Sequence, residues 1–355
     1  MKRFQTNYTA CRVAAFAVLG LAAMTTFAEA EATRTNEDPY VVLVTEGDST
    51  AQAVFQRYPE LKGSWEDIAR FNLLRSGNAI EIPKEMLSTD GLLAKVANFY
   101  GEAEVKRSFD DKYLPLVRNL LLREGDEIRT WSGAGARILF EDGNYVLLKS
   151  NSRARVVSLG SKKASAASRM QLFLKEGSIW SEMENGLRGR FVIETPTAST
   201  IIRGTEFRVK VEPGEATRLE VLDGTVDFEI GDRVVSVDKQ NGALAGTGSE
   251  PVAPTPLPSP PALEAPLPQE VIREDAIDQT FRWQRVDGAE GYVFEIARDE
   301  PFFDVVLERR VGPEAAVRIQ NLEPGTYFWR VSAVAGGFEG SPSPTRYFVF
   351  VQLSP

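Results

Sequence analysis

"TPTASTIIRGTEFRVKV" occupies residues 195–211 and decides how most of the chain is read. Phe207, Val209 and Val211 fall on one side of an extended chain and Glu206, Arg208 and Lys210 on the other, the pattern of a strand with one buried face. Gly204 stands at its entry, where a bend or bulge suits a residue without a Cβ. Arg203-Gly204-Thr205 therefore reads as the kink before a buried strand. The competing reading is a partner-binding site, in which Arg203 and Thr205, with backbone amides near Gly204, take a carboxylate.

Working outward, the period of two extends from Ala94 to about Gly248. Alternating runs are joined at acidic-Gly pairs: Glu124-Gly125, Asp142-Gly143, Glu176-Gly177 and Asp223-Gly224. Glycine takes φ > 0 at no steric cost, so these pairs predict tight hairpins and an antiparallel, strand-dense domain over 94–248. Five motifs run in order through it: Gly125-Asp126-Glu127-Ile128-Arg129-Thr130, Ala136 to Gly143, Thr195-Pro196-Thr197-Ala198, Arg203-Gly204-Thr205-Glu206-Phe207, and Val221-Leu222-Asp223-Gly224-Thr225-Val226. This stretch resembles a FecR-type domain. The resemblance implies a periplasmic β domain that senses or relays envelope signals, often in regulators of iron-uptake sigma factors. Those regulators carry a cytoplasmic N-terminal segment and a membrane helix, neither of which the sequence shows, so the sigma-factor relay itself is not carried over.

Residues 249–270 are proline-rich, and proline at that density favours an extended, solvated spacer. Beyond it, over 271–355, Phe281 and Trp283, Tyr292, Phe294 and Ile296, Tyr327, Trp329 and Val331, and Tyr347, Val349 and Val351 recur at strand period. Turns at Asp287-Gly288, Pro324-Gly325 and Gly336-Gly337 separate them, predicting a small antiparallel sandwich with an aromatic core. Phe281-Arg282-Trp283, Gly288 to Tyr292 and Leu322 to Arg330 make it similar to a fibronectin type III, immunoglobulin-like domain, which implies a spacer or protein-binding unit.

Over 40–83 the pattern is strand, helix, helix, strand. Tyr40 to Val44 is β-branched, Ala51, Val54, Phe55 and Tyr58 share a helical face, Ser64 caps a second helix, and Ile80-Glu81-Ile82 closes the unit. This βααβ unit resembles a LysM module, with Gly47-Asp48-Ser49 where that family usually has Gly-Asp-Thr. The resemblance implies binding of peptidoglycan or another N-acetylglucosamine-containing glycan between two loops, here Gly47, Asp48, Ser49 and Thr50, and Leu73, Leu74, Arg75, Ser76, Gly77 and Asn78. The alternative is a unit that only packs.

Residues 1–30 carry Lys2, Arg3 and Arg12, the apolar run Val13 to Phe27, and Ala28-Glu29-Ala30, the pattern of an export signal. Cleavage after Ala30 removes three cations and one anion, taking the net charge from −9 to −11, a value that repels nucleic acid. The processed chain holds neither cysteine nor histidine, which removes disulfides, thiol or imidazole nucleophiles and the usual ligands of zinc, copper and haem. No cofactor, metal site, catalytic residue or later membrane span is expected. Acidic neighbours such as Asp110-Asp111 and Glu141-Asp142 do not make a glycosidase pair, because adjacent side chains on a strand point to opposite faces. The sequence thus predicts a non-enzymatic, exported protein of the periplasm or envelope of a Gram-negative bacterium. It is mainly β and multidomain, holding a cell-wall glycan and presenting its central domain to an unidentified envelope protein. A signal-transduction component is the alternative, and a wall-active hydrolase ranks last.

Overall fold

A chain that alternates buried and exposed residues must both turn within a sheet and cross between sheets, and a residue at φ > 0 serves either need. The computed structural model describes residues 40–43, 61, 79–82, 87, 93–160, 169–183, 190–202, 204–246, 253–274 and 277–353. All belong to one compact unit, Tyr40–Pro355, and among them every regular element is a strand apart from isolated bridges.

The chain enters through β1 (Tyr40–Leu43), antiparallel to β2 (Ala79–Ile82). Then come β3 (Ala94–Tyr100), β4 (Ala103–Lys106), β5 (Tyr113–Pro115), β6 (Leu120–Leu122) and β7 (Glu127–Thr130). After these run β8 (Gly135–Phe140), β9 (Tyr145–Leu148), β10 (Ser152–Leu159), the 14-residue β11 (Arg169–Glu182), β12 (Arg190–Glu194) and β13 (Ser199–Ile202). The domain ends with β14 (Glu206–Val211), β15 (Thr217–Asp223), β16 (Thr225–Ile230), β17 (Arg233–Asp238), β18 (Asn241–Ala245) and β19 (Thr255–Pro256).

These strands make two layers. Sheet I runs β2-β1-β6-β3-β8-β9-β11-β14-β15-β18-β19, antiparallel apart from the single β1–β6 pairing at Val41↔Leu120. Sheet II runs β5-β4-β7-β10-β11-β12-β13-β16-β17, antiparallel apart from β11–β12. One core lies between them, with Phe140, Ile179, Phe207, Val209 and Leu219 of sheet I facing Ile128, Leu172, Phe191, Ile202 and Phe228 of sheet II. Phe140 and Phe191 meet edge to face at 5.6 Å across it.

Strand β11 belongs to both layers. Residues up to Glu176 pair with β10 and β12, and those from Gly177 onward pair with β9 and β14. Gly177, at φ +88°, is the pivot, and a Cβ there would lie 2.1 Å from Ser152 Oγ and 2.4 Å from Ser152 Cα. At the β15–β16 corner Gly224 has φ +84°, and its Cβ would stand 2.5 Å from Thr205 Cγ2. The other crossings turn beside Gly101, Asn119, Gly125, Gly133, Asn151, Gly204 and Gln240, all at positive φ. The hairpin expectation thus holds at Asp142-Gly143, between β8 and β9, and is corrected at Glu124-Gly125, Glu176-Gly177 and Asp223-Gly224, where the chain changes layers. Acidic-Gly chemistry permits both uses, and which one applies depends on where the next strand finds its partner.

The C-terminal strands are β20 (Leu263–Ala265), β21 (Glu270–Glu274), β22 (Asp278–Trp283), β23 (Gly291–Ala297), β24 (Val305–Val311), β25 (Ala316–Gln320), β26 (Gly325–Ala335), β27 (Phe338–Pro342) and β28 (Arg346–Gln352). The layer β20-β22-β25 packs on β21-β28-β26-β23-β24, with β27 also on β26. Phe281, Trp283, Tyr292, Phe294, Tyr327 and Trp329 fill the space between them, as their spacing predicts; on β28 the expectation is corrected, because Phe348 and Phe350 face the core while Tyr347, Val349 and Val351 lie on the opposite side of the strand, Val351 exposed. Tyr327, near the start of β26, donates its hydroxyl to Glu323 O at 2.9 Å, hooking the strand to the turn before it.

The proline-rich segment departs from a solvated spacer. Thr255 and Pro256 pair with β18, Leu257 N donates to Gln240 O at 2.9 Å, and Leu257 is buried with Leu222 and Phe338. It is a docked strap between the two domains, because Leu257 and an extended backbone meet a free strand edge. The sandwich also begins earlier than 271, since β20 lies in it. Over 40–83, β1 and β2 pair antiparallel, and no βααβ module is seen among the described residues, because the two expected helices lie outside them.

Candidate functional site

The family-like motifs build strands together with the turns and corners that join them. Asp126 is fully buried, accepts Ser108 N at 2.9 Å and Arg123 N at 2.8 Å, and stands 3.2 Å from the buried Arg107 guanidinium. Burial pushes its carboxyl upward, against Arg107 and these amides. Thr195 and Thr197 each place their hydroxyl 2.7 Å from that of buried Thr217, and Thr195 N and Ala198 O close the turn. Gly204, at φ +64°, opens β14, whose alternation is as read from the sequence. Thr205 is 2% exposed under Gly224, enclosed in the corner and away from any surface; Arg203 lies outside the described residues, as do the ten glycan-loop positions Gly47 to Thr50 and Leu73 to Asn78.

Charge gathers elsewhere. The outer face of sheet I is covered by the sandwich, through a seam of ion pairs set among aromatic rings. Lys149, directly after β9, donates to Glu295 Oε1 of β23 at 2.6 Å and lies 2.7 Å from Glu308 Oε2, while Arg330 Nε of β26 donates to Glu295 Oε2 at 2.7 Å. Arg330 also sits 3.9 Å from the Phe302 ring centroid and 5.9 Å from that of Trp180. Arg208 and Glu220, directly paired on β14 and β15, hold the backbone of β27: Arg208 donates to Glu339 O at 2.9 Å and Gly340 O at 2.7 Å, and Glu339 N donates to Glu220 Oε1 at 2.6 Å. Arg137 lies 3.7 Å from the centroid of Phe303 and 4.4 Å from that of Tyr145, and burial lowers its pKa.

Burial works against the Lys149 ammonium, yet Glu295 and then Glu308 hold it above the ordinary lysine range. It likewise works against the Glu295 carboxylate, which Arg330 and then Lys149 keep below the usual carboxylate range. Burial pushes Glu220 upward against Arg208, with Glu339 adding to the rise. Arg208 is held up by Glu339 and Glu220 against its own burial. A cleft of about 840 Å³ opens along this seam, with Lys149, Trp180, Arg208, Glu295 and Arg330 in its walls. Its central charges are spent on one another, which makes it a polar joint. Sequence reading missed this group because outward-facing residues on two distant strands look solvated until one face covers the other.

The outer face of sheet II carries a second constellation. Arg129 of β7 packs 3.6 Å from the Tyr113 ring centroid and 4.8 Å from that of Trp131. Its Nε donates to Glu104 Oε2 at 2.5 Å, and Trp131 Nε1 donates to the same oxygen at 3.0 Å. Glu104 is lowered by these bonds, Arg129 first, and Arg129 is raised by Glu104. Trp131 is 44% exposed, the one exposed aromatic side chain among the described residues. No group of three or more metal-ligating side chains and no helix long and apolar enough to cross a membrane occurs among those residues.

Residues 126–227 match the FecR protein family, so the chain contains a FecR domain spanning β7 to the start of β16. Solved structures are similar only loosely. A candidate anti-sigma factor from Parabacteroides distasonis has 19% identity and a TM-score of 0.32, over 37% of this chain and 59% of that one. A second structure of a candidate anti-sigma factor from that organism has 14% identity and a TM-score of 0.32, over 53% and 84%. An Fn3-like protein from Clostridium thermocellum has 15% identity and a TM-score of 0.21, over 28% and 96%. This chain thus spans about three fifths of the first of these. No curated protein matches it.

Proposed function

We propose that this chain is a non-catalytic component of an envelope regulatory system, working outside the cytoplasm as a recognition body. What supports the reading most is the FecR domain over residues 126–227. Asp126, Thr195, Thr197 and Thr205 of its family-like motifs are taken up by turns and corners, so recognition falls to residues on the sheet faces. The C-terminal sandwich, read as a fibronectin type III-like domain from its layer order and the Tyr327 hook, covers one face and stiffens the whole. The mutual pairing of Lys149, Glu295, Arg330, Arg208 and Glu220 favours a joint over a catalytic pocket, where a poised acid or base is needed. Deleting the protein from its host and comparing envelope-stress transcripts, with complementation by a chain lacking residues 126–227, tests the reading. An altered response restored only by the complete chain supports it, and an unchanged response removes it.

A second reading adds tethering to the cell wall. The antiparallel register Tyr40↔Ile82 to Leu43↔Ala79 is what a LysM-like unit needs to bring its two loops together. Co-sedimentation with purified peptidoglycan, with and without residues 40–83, tests it, and equal pelleting of both forms removes it.

A further inference from the structure

The outer face of sheet II holds a charge arrangement that its own fold does not complete. Arg129 and Arg153 are direct cross-strand partners, and like charges set opposite each other on a sheet are destabilising. Glu104 engages Arg129 through Nε, and Glu176 lies 3.0 Å from Arg153 Nε. Among the described residues the two terminal nitrogens of Arg129 make no hydrogen bond, although its guanidinium is fixed between two rings. A planar donor fork held in place loses little freedom on binding, so it favours a planar, bidentate anion.

The seam on sheet I shows the same construction in its finished form. There Arg330 lies on Phe302 and Trp180, its Nε is held by Glu295, and Lys149 from the other domain completes the cluster. On sheet II the arginine, the two rings and the glutamate are present, and the incoming group is what the fold leaves to others.

We propose that Arg129, clasped by Tyr113 and Trp131, is a docking point for a carboxylate on an acidic segment of a protein partner, with the Trp131 indole packing against the residue beside that carboxylate. Beside Arg129 the face carries Arg153 directly opposite and Arg155 one row away, 5.5 Å from the Phe173 ring centroid, while Glu127, set opposite Arg155, accepts the Tyr113 hydroxyl and lies 4.0 Å from Arg153 Nε. Only the partner's being a protein rests on the function proposed above.

The test uses the whole processed chain labelled with ¹⁵N, reading the Trp131 indole N–H resonance during titration with acetyl-Leu-Glu-amide and, separately, acetyl-Leu-Gln-amide. A saturable shift with the acidic peptide, about tenfold weaker with the amide peptide and lost in Arg129→Lys, is the expected result, because lysine keeps the charge and loses the fork. Equal shifts with both peptides, no shift at all, or an unchanged titration in Arg129→Lys would overturn it. Should Arg129→Lys fail to fold, Trp131→Phe read on the Arg129 Nε–H resonance takes its place, with weaker acidic-peptide binding expected and unchanged binding fatal. Binding of the acidic peptide together with a negative transcript experiment keeps this surface and removes the signalling role; the opposite pair of outcomes does the reverse.

Discussion

The two outer faces of the central domain are made of the same material and live different lives. Both present arginines on aromatic rings with glutamates alongside, on strands of matching alternation. On sheet I the face is largely covered: Leu147 is 2% exposed on the side away from the core, and Glu295 is 4% exposed beneath Lys149 and Arg330. On sheet II the corresponding glutamate and arginine keep 21% and 25% of their side-chain surface. Identical chemistry therefore has different worth, since a pair cut off from water cannot exchange a lost partner for solvent, whereas an exposed pair can.

Removing a carboxylate from each face exposes the contrast most strongly. Glu295→Ala leaves Lys149 and Arg330 without their shared anion and is expected to cost about 3–5 kcal/mol, whereas Glu104→Ala stays within about 1 kcal/mol, both read from urea unfolding. Next in size is the strap: Leu257→Ala is expected to cost about 2 kcal/mol, with faster proteolysis between the domains. Acid sharpens the comparison in a third way. Because the Glu295 pKa is depressed in the folded chain, its stabilisation is full above the unfolded value of about 4.3 and is lost as pH falls through the lower folded value. Thermal midpoints measured from pH 7 to pH 3 should therefore hold at first and then fall below about pH 4, more steeply in the native chain than in Glu295→Gln. Smallest is Trp131→Ala, expected within about 0.5 kcal/mol of the parent, and a larger loss would mean that the open face is structural.

Much of this architecture was written plainly along the chain. Phe207, Val209 and Val211 are buried as their alternation requires, and Tyr292, Phe294 and Ile296 face the sandwich core. What alternation does not carry is the fate of the other side. Val293, Glu295 and Ala297 share β23 with those core residues and are buried too, because sheet I covers them. Lys149 and Glu295 lie 146 positions apart, and no local pattern links them. Gly204 marks a corner, and that corner encloses Thr205. Trp131 follows the first of the five motifs directly, and a single aromatic at a strand end has no period to betray it.

One strand sets the terms on which the central domain comes apart. β11 is hydrogen-bonded on both flanks in both layers, so stripping β10 and β12 from its first half frees the pivot that aligns its second half with β9 and β14. The layers thereby become a single melting unit. Amides before and after Gly177 should exchange with deuterium at a common opening free energy, and heating should produce one calorimetric peak for residues on either side of that glycine.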